Sequence, residues 1–321
     1  MTDTVDPSPA PDQAPEPEAP HLETLVPLRA SLSPALEVSK RPSPLERVKH
    51  LWQYRELIGN LTRKELKVKY KNSVLGFLWS LLNPLMYLVV FSLVFNIISE
   101  VKVSYYGIFF LSGLLAWNLF SAGLSQGTSA ITGNAQLVTK VWFPREALVV
   151  ATVLAACVHF FLQSLVLIAA LLAFRRTPDV SYIPVFVLAF VTLLVLCVAL
   201  AVALSAINVY LRDTQHLLEV ALLAWFWLSA IAYPFSLVYD RLTPSRSWIA
   251  TLNPVLVIVV AFQRTLYNPD FSNPGEASTM PDLNMGWYVT HLAISLAAGA
   301  AILVFALWLF SRLEDNFAEE I

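Results

Sequence analysis

Of the 321 residues in this chain, 57% are hydrophobic and only 14% are Asp, Glu, Lys or Arg, against about 45–50% and about 25% in soluble domains. This balance excludes a disordered chain, a nucleic-acid-binding module and an ordinary soluble globule, and it predicts an all-α polytopic membrane protein. The formal net charge of −2 is a cancellation: residues 1–23 carry six acids and no Lys or Arg, residues 24–71 eleven basic and four acidic residues, and the remainder ten and thirteen.

Residues 1–44 hold ten of the twenty prolines. Such a composition cannot bury a core, so a disordered cytoplasmic tail is expected. Its acidic start and missing apolar h-region are unlike a secretory signal. Residues 45–71 read as one or two helices on the membrane surface. Tyr54, Leu57, Ile58, Leu61 and Val68 fall roughly on one face, interrupted by Lys64 and Glu65, while Arg55, Arg63, Lys67, Lys69 and Lys71 supply a cationic side. That is the pattern of an interfacial amphipathic helix; a plain cytosolic helix is the alternative. The basic block precedes the first apolar stretch, where anionic headgroups attract it.

A bilayer core of about 30 Å needs about 20 helical residues. Asn72–Ser99 has no charge and gives the first span. Val103–Thr139 is uncharged over 37 residues, too long for one helix. It divides into a second span, about 105–126, and a polar stretch in which Gly123, Ser125, Gln126, Gly127, Thr128, Ser129, Thr132, Gly133 and Asn134 mark the helix end and a cytosolic loop. Ala147–Phe174, Val180–Leu211, Val220–Tyr239 and Leu283–Ser311 give spans three to six. The 17 uncharged residues Ser247–Gln263, broken at Asn253-Pro254, are too short for a seventh span and read as an external re-entrant hairpin. The domain plan is therefore a tail (1–44), a surface helix (45–71), a six-span domain (72–312) and a C-terminal tail (313–321). With both termini inside, fifteen Lys/Arg face the cytoplasm and six face outward, as the positive-inside rule requires. Trp52, Trp79, Trp142, Trp248, Trp287 and Trp308 fall near membrane boundaries; Trp117, Trp225 and Trp227 fall deeper.

Little ionisable chemistry lies inside these spans. The first four contain no Asp, Glu, Lys or Arg, which is thin for proton- or sodium-driven transport. His159 reads as a packing residue with Gln163, one turn on, as a candidate partner. Cys157 and Cys197 lack metal-ligand spacing and read as packing residues. No Lys follows a Gly, so no Walker A motif exists; energy for any work comes from elsewhere. The loop holding Gln136, Lys140, Phe143, Pro144, Arg145 and Glu146 fits, from spacing alone, an ordinary positive-inside connection. Arg212 and Asp213, between spans four and five, are placed to cap helix ends. Trp117, Phe120, Trp225 and Trp227 have two readings, packing between helices or lining a translocation path, where aromatic faces stack on sugar rings.

Four collinear blocks carry a resemblance. They are Tyr54-Arg55-Glu56-Leu57-Ile58 with Thr62-Arg63-Lys64-Glu65-Leu66-Lys67-Val68-Lys69-Tyr70 through Trp79 and Asn83-Pro84-Leu85; Leu137 through Glu146; Asn208-Val209-Tyr210-Leu211-Arg212-Asp213; and Leu252-Asn253-Pro254. Together they resemble ABC type-2 permeases that export polysaccharide and teichoic acid, over about residues 50–310. Lys64 stands where many members have Arg, which keeps the charge. The resemblance implies a homodimer of six-span subunits in the bacterial plasma membrane. It implies two copies of a separate ABC ATPase that binds ATP and Mg, a lipid-linked glycan as cargo, and no cofactor or catalytic residue in this chain. It also makes the surface helix (Arg55, Glu56, Arg63, Lys64, Glu65, Lys67, Lys69) and the loop from Gln136 to Glu146 the ATPase contacts. Export of a drug or lipid, and a membrane enzyme acting on polyprenyl-linked sugars, are the alternatives.

Overall fold

The computed structural model describes residue 2 and residues 44–71, 73, 75–98, 103–242 and 248–320. The tail assigned to 1–44 thus lies almost wholly outside the described residues, and the fold below is that of 42–321, a unit separate from 1–41. Among the described residues all regular structure is helical.

Two helices open the fold, α1 (Pro44–Gln53) and α2 (Arg55–Tyr70), with the chain turning at Tyr54. The apolar stripe of α2 is used inside the protein: Ile58, Leu61 and Thr62 are buried, and the Thr62 hydroxyl bonds the Ala151 carbonyl at 3.3 Å. Val68, counted in the same stripe, is exposed. An apolar helix, α3 (Leu78–Ile98), follows, with Pro84 in its interior.

Four stretches are long and apolar enough to cross a bilayer: Tyr106–Thr128, Glu146–Ala173, Val180–Tyr210 and Met285–Asn316. They contain α4 (Tyr106–Thr128), α6 (Glu146–Ala173), α7 (Ile183–Tyr210) and α13 (Met285–Leu313), with the short α5 (Ala135–Lys140) between α4 and α6. Helix α4 is the core element and is buried on nearly every face. Its end departs from expectation, because Gly123 and Gly127 are not punctuation. A Cβ on Gly123 would stand 2.7 Å from Cys197 Sγ, and one on Gly127 2.7 Å from Ala201 Cβ. Small residues here let α4 and α7 approach, as in membrane helix pairs generally, so the helix continues to Thr128.

The expected fifth span, Val220–Tyr239, is not one helix. Helix α8 (Thr214–Leu228) starts six residues earlier and stops eleven residues sooner, and Ala230 takes a left-handed φ of 50°. The stop has a physical cause: the terminal carbonyls of α8 are claimed by side chains. Ser229 Oγ bonds Trp225 O at 2.8 Å, Tyr233 OH bonds Trp227 O at 2.6 Å, and Asn253 Nδ2 bonds Leu228 O at 3.1 Å. Carbonyls satisfied this way need no further helical turn.

Beyond α9 (Ser236–Tyr239), the stretch expected as a hairpin forms α10 (Trp248–Thr251) and α11 (Pro254–Leu266), broken where expected at Asn253-Pro254; its first residue, 247, lies outside the described residues. Asn253 caps α11 by accepting from Val255 N at 3.1 Å, with Pro at the first helical position. Residues Val255 to Thr265 are all buried. At 1.5 Å per residue, α11 is about 20 Å long, and it is enclosed by protein, which suits an all-round apolar helix. Its far end is tied to the α6–α7 connection: Arg264 pairs with Asp179 at 3.3 Å, and Arg176 donates to Asn268 O, just past the helix, at 2.9 Å while pairing at 2.6 Å with Glu276 of α12 (Pro274–Ala277). Helix α13 leads to a short terminal helix, α14 (Phe317–Glu320).

Candidate functional site

Charged residues gather at the end of the fold where α1, the start of α6 and the end of α13 meet. Arg47, on α1, is buried. Its guanidinium pairs with Glu146, the first residue of α6, and with Glu314, just past α13; a further contact to Glu314 Oε2 spans 3.2 Å. Burial works against the charged guanidinium, yet the two carboxylates outweigh it and hold Arg47 above the ordinary arginine range. Arg145 donates to the Glu314 carbonyl and lies 5.6 Å from the Phe317 ring; Tyr210 OH bonds Leu313 O at 2.7 Å. Sequence reading missed Arg47 and Glu314. Their partners lie 99 and 267 positions from Arg47, beyond any local spacing rule.

The α5 loop stands beside this cluster and is strongly asymmetric. Phe143 is buried at 8% exposure while Trp142, its neighbour, is 88% exposed. Gln136 and Lys140 are also exposed, and Pro144 and Arg145 are half-buried. A polar contact brings the two predicted regions together: Lys64 Nζ of α2 donates to Asn134 Oδ1 at 2.6 Å. Around Lys64, the residues Arg55, Glu56, Arg63, Lys67 and Lys69 are exposed and Glu65 is half-buried, so α2 and the loop present one polar surface with Trp142 projecting from it.

The second predicted loop joins the same end. Arg212 shares a cleft of about 360 Å³ with Ser129, Thr132, Gly133, Asn208 and Gln215, and Asn208 Nδ2 bonds Thr128 O at 3.2 Å. Asp213 occupies the cap position of α8, but its carboxylate accepts no capping bond.

The four deep aromatics separate into two kinds. Phe120 and Trp225 meet edge-on at 5.1 Å, and Trp117 meets Phe226 at 5.7 Å; Trp117 and Phe120 are buried. Trp225 Nε1 donates to Asn253 Oδ1 at 2.8 Å. Trp227 is 58% exposed. His159 does not pair with Gln163. Its Nδ1 lies 2.9 Å from Tyr70 OH, which in turn meets Ser80 Oγ at 2.5 Å, because α2 packs along α6 and delivers Tyr70 there. Gln163 Oε1 instead accepts from Asn118 at 3.1 Å. Cys157 and Cys197 are buried free thiols, and no metal-binding group of His, Cys, Asp and Glu occurs among the described residues.

Residues 56–267 match the family described as ABC-2 type transporter. The chain is similar to the O-antigen export system permease protein RfbA of Myxococcus xanthus, 33% identical over 280 residues, covering 85% of this chain and 98% of that protein. It is similar to the O-antigen export system permease protein RfbA of Klebsiella pneumoniae, 24% identical over 264 residues, 82% of this chain and 94% of that protein. It is also 20% identical over 215 residues to the polysialic acid transport protein KpsM of Escherichia coli, covering 66% of this chain and 81% of that protein.

Proposed function

The chain belongs to the ABC-2 type transporter family, and from that premise we propose that it is the permease of an ABC exporter carrying a lipid-linked polysaccharide or cell-wall glycopolymer. The cargo travels from the cytoplasm to the outer face of the plasma membrane. The observation that carries this reading is the match to an O-antigen export permease across 98% of that protein's length. An ABC ATPase is the partner; two copies of it bind ATP and Mg and act on two copies of this chain.

The proposed subunit has six spans: the four long apolar helices, α3, and a fifth in which α8, 15 residues long, crosses together with the non-helical turn and α9 that follow it to Tyr239; both termini lie in the cytoplasm. The break at Asn253-Pro254 supports a re-entrant segment, since non-helical backbone is tolerated at membrane depth only where protein or a water-filled cavity surrounds it. The ATPase contact is assigned to Trp142 with Gln136 and Lys140, and to the polar face of α2. The Arg47–Glu146–Glu314 cluster fixes the base of that loop, so a push on Trp142 is delivered into α6 rather than dissipated.

The test is depletion of this chain in its own cell, followed by staining of surface glycan and analysis of lipid-linked intermediates. Loss of surface glycan with intracellular accumulation of its lipid-linked form is expected. Unchanged surface glycan overturns the reading.

A further inference from the structure

A cavity of about 300 Å³ lies where α2, α3, α4 and α6 meet. It is polar in an otherwise apolar part of the fold. Lys69, Asn83, Asn118, Ser121, Ser125 and Gln163 line it, with His159 at one side and Phe160 among its apolar edges. Polar side chains inside membrane helices are costly and therefore call for a use. From Ser125 to Asn118, the lining of α4 runs seven residues deeper, about 10 Å at the helical rise.

The groups present define what they would hold. No carboxylate lines the cavity, which argues against a metal ion or an organic cation. Lys69, exposed on α2, lines the open side of the cavity and has no hydrogen bond or ion pair among the described residues, so its ammonium is available to a ligand. Asn118 Nδ2 is spent on Gln163 Oε1, leaving Asn118 Oδ1 as acceptor and Gln163 Nε2 as donor. His159 Nδ1 is spent on Tyr70, leaving Nε2. One unpaired cation beside neutral donors and acceptors suits an anionic group next to hydroxyls. A cavity near 300 Å³ is at the lower end of small-molecule sites, so it admits one head group and no polymer.

We propose that this cavity binds the phosphate-bearing, hydroxylated head of a lipid, with Lys69 on the phosphate and Asn118, Gln163 and Ser121 on the hydroxyls. Two lipids carry that chemistry: an anionic phospholipid of the membrane and the lipid end of the glycan cargo. The second source rests on the export reading above; the first does not.

The experiment uses the full chain with its ATPase in phosphatidylcholine nanodiscs, titrated with labelled phosphatidylglycerol and with a labelled polyprenyl diphosphate carrying one N-acetylhexosamine. Saturable binding of at least one probe is expected. Lys69→Gln should weaken it by about tenfold or more, the scale of a lost charge-assisted hydrogen bond. Lys69→Arg should keep the affinity within about threefold, and Ser121→Leu, which fills the cavity, should abolish binding. Lys69 is on a helix surface, so its two variants decide the matter even if Ser121→Leu fails to assemble. Preference for the sugar diphosphate identifies the cargo, and equal or better binding of phosphatidylglycerol identifies the membrane lipid. Binding of neither probe, or an unchanged Kd in Lys69→Gln, overturns the proposal. Surface glycan that survives depletion overturns the export reading alone, because the phosphatidylglycerol arm stands independently of it.

Discussion

Trp225 Nε1 donates to Asn253 Oδ1 at 2.8 Å, and the same oxygen accepts from Val255 N while the amide nitrogen reaches Leu228 O and Ser229 Oγ. One side chain therefore ends α8, starts α11 and fixes an indole between them. Asn253→Ala should lower stability by about 2–3 kcal/mol, combining a lost N-cap with partners left unpaired. Trp225→Phe should lose less, because the ring packing on Phe120 remains. The two changes should be non-additive in a double-mutant cycle, as for any shared contact. Thermal unfolding of the purified protein in detergent checks this; additive losses would mean that the two residues act separately.

Trp142 separates docking from folding. At 88% exposure it contributes little to the isolated fold, so Trp142→Ala should leave the unfolding midpoint within the range of ordinary surface changes, about 0.5 kcal/mol. If it anchors the ATPase, the same variant should weaken that association by about thirtyfold, the scale of an interface hot spot. Quantitative co-purification, with ATP hydrolysis in proteoliposomes, reads the difference. Retained affinity would move the contact elsewhere on the α2 face.

The Arg47 cluster makes the opposite separation. Arg47→Ala leaves Glu146 buried without its cation and should cost about 3–5 kcal/mol. Replacing all three charges together, Arg47→Met with Glu146→Gln and Glu314→Gln, should recover most of that loss, because the desolvation penalty disappears with the attraction. Thermal midpoints of the single and triple variants decide it. A triple variant as unstable as Arg47→Ala would show that the cluster's geometry matters more than its charge balance.

What could be read from the chain follows the range of the forces involved. Apolar runs placed α6, α7 and α13 within a few residues, since bilayer thickness acts on every residue of a span alike. Asn253-Pro254 was legible as a break because Pro and an N-cap act locally. The exact end of α8 was not: Pro234 marks a break within Ser229–Phe235, but the stop at Leu228, six residues earlier, comes from Asn253 and Tyr233 folding back onto its carbonyls. Arg47 was invisible for the same reason, its partners arriving through tertiary packing. Tyr70 displaced Gln163 as the partner of His159 because a helix packed alongside can outrank an i,i+4 neighbour. Of the candidate coupling residues, spacing offered only a charged loop; the exposure of Trp142 beside buried Phe143 emerges from the fold.

Gly123 and Gly127 allow the sharpest test of the α4–α7 contact. Both would set a Cβ 2.7 Å from α7, but against different obstacles. Cys197 Sγ ends a side chain that can turn slightly, whereas Ala201 Cβ is fixed to its backbone and moves only if the helix moves. Gly127→Ala should therefore cost more than Gly123→Ala, within the roughly 1–3 kcal/mol typical of overpacking. Ala201→Gly should rescue Gly127→Ala specifically, and Cys197→Ala should rescue Gly123→Ala, while the crossed combinations gain nothing. Unfolding midpoints across the four pairs measure this directly. Equal rescue by either partner would mean that the helices relax as rigid bodies, with no pairwise fit between these residues.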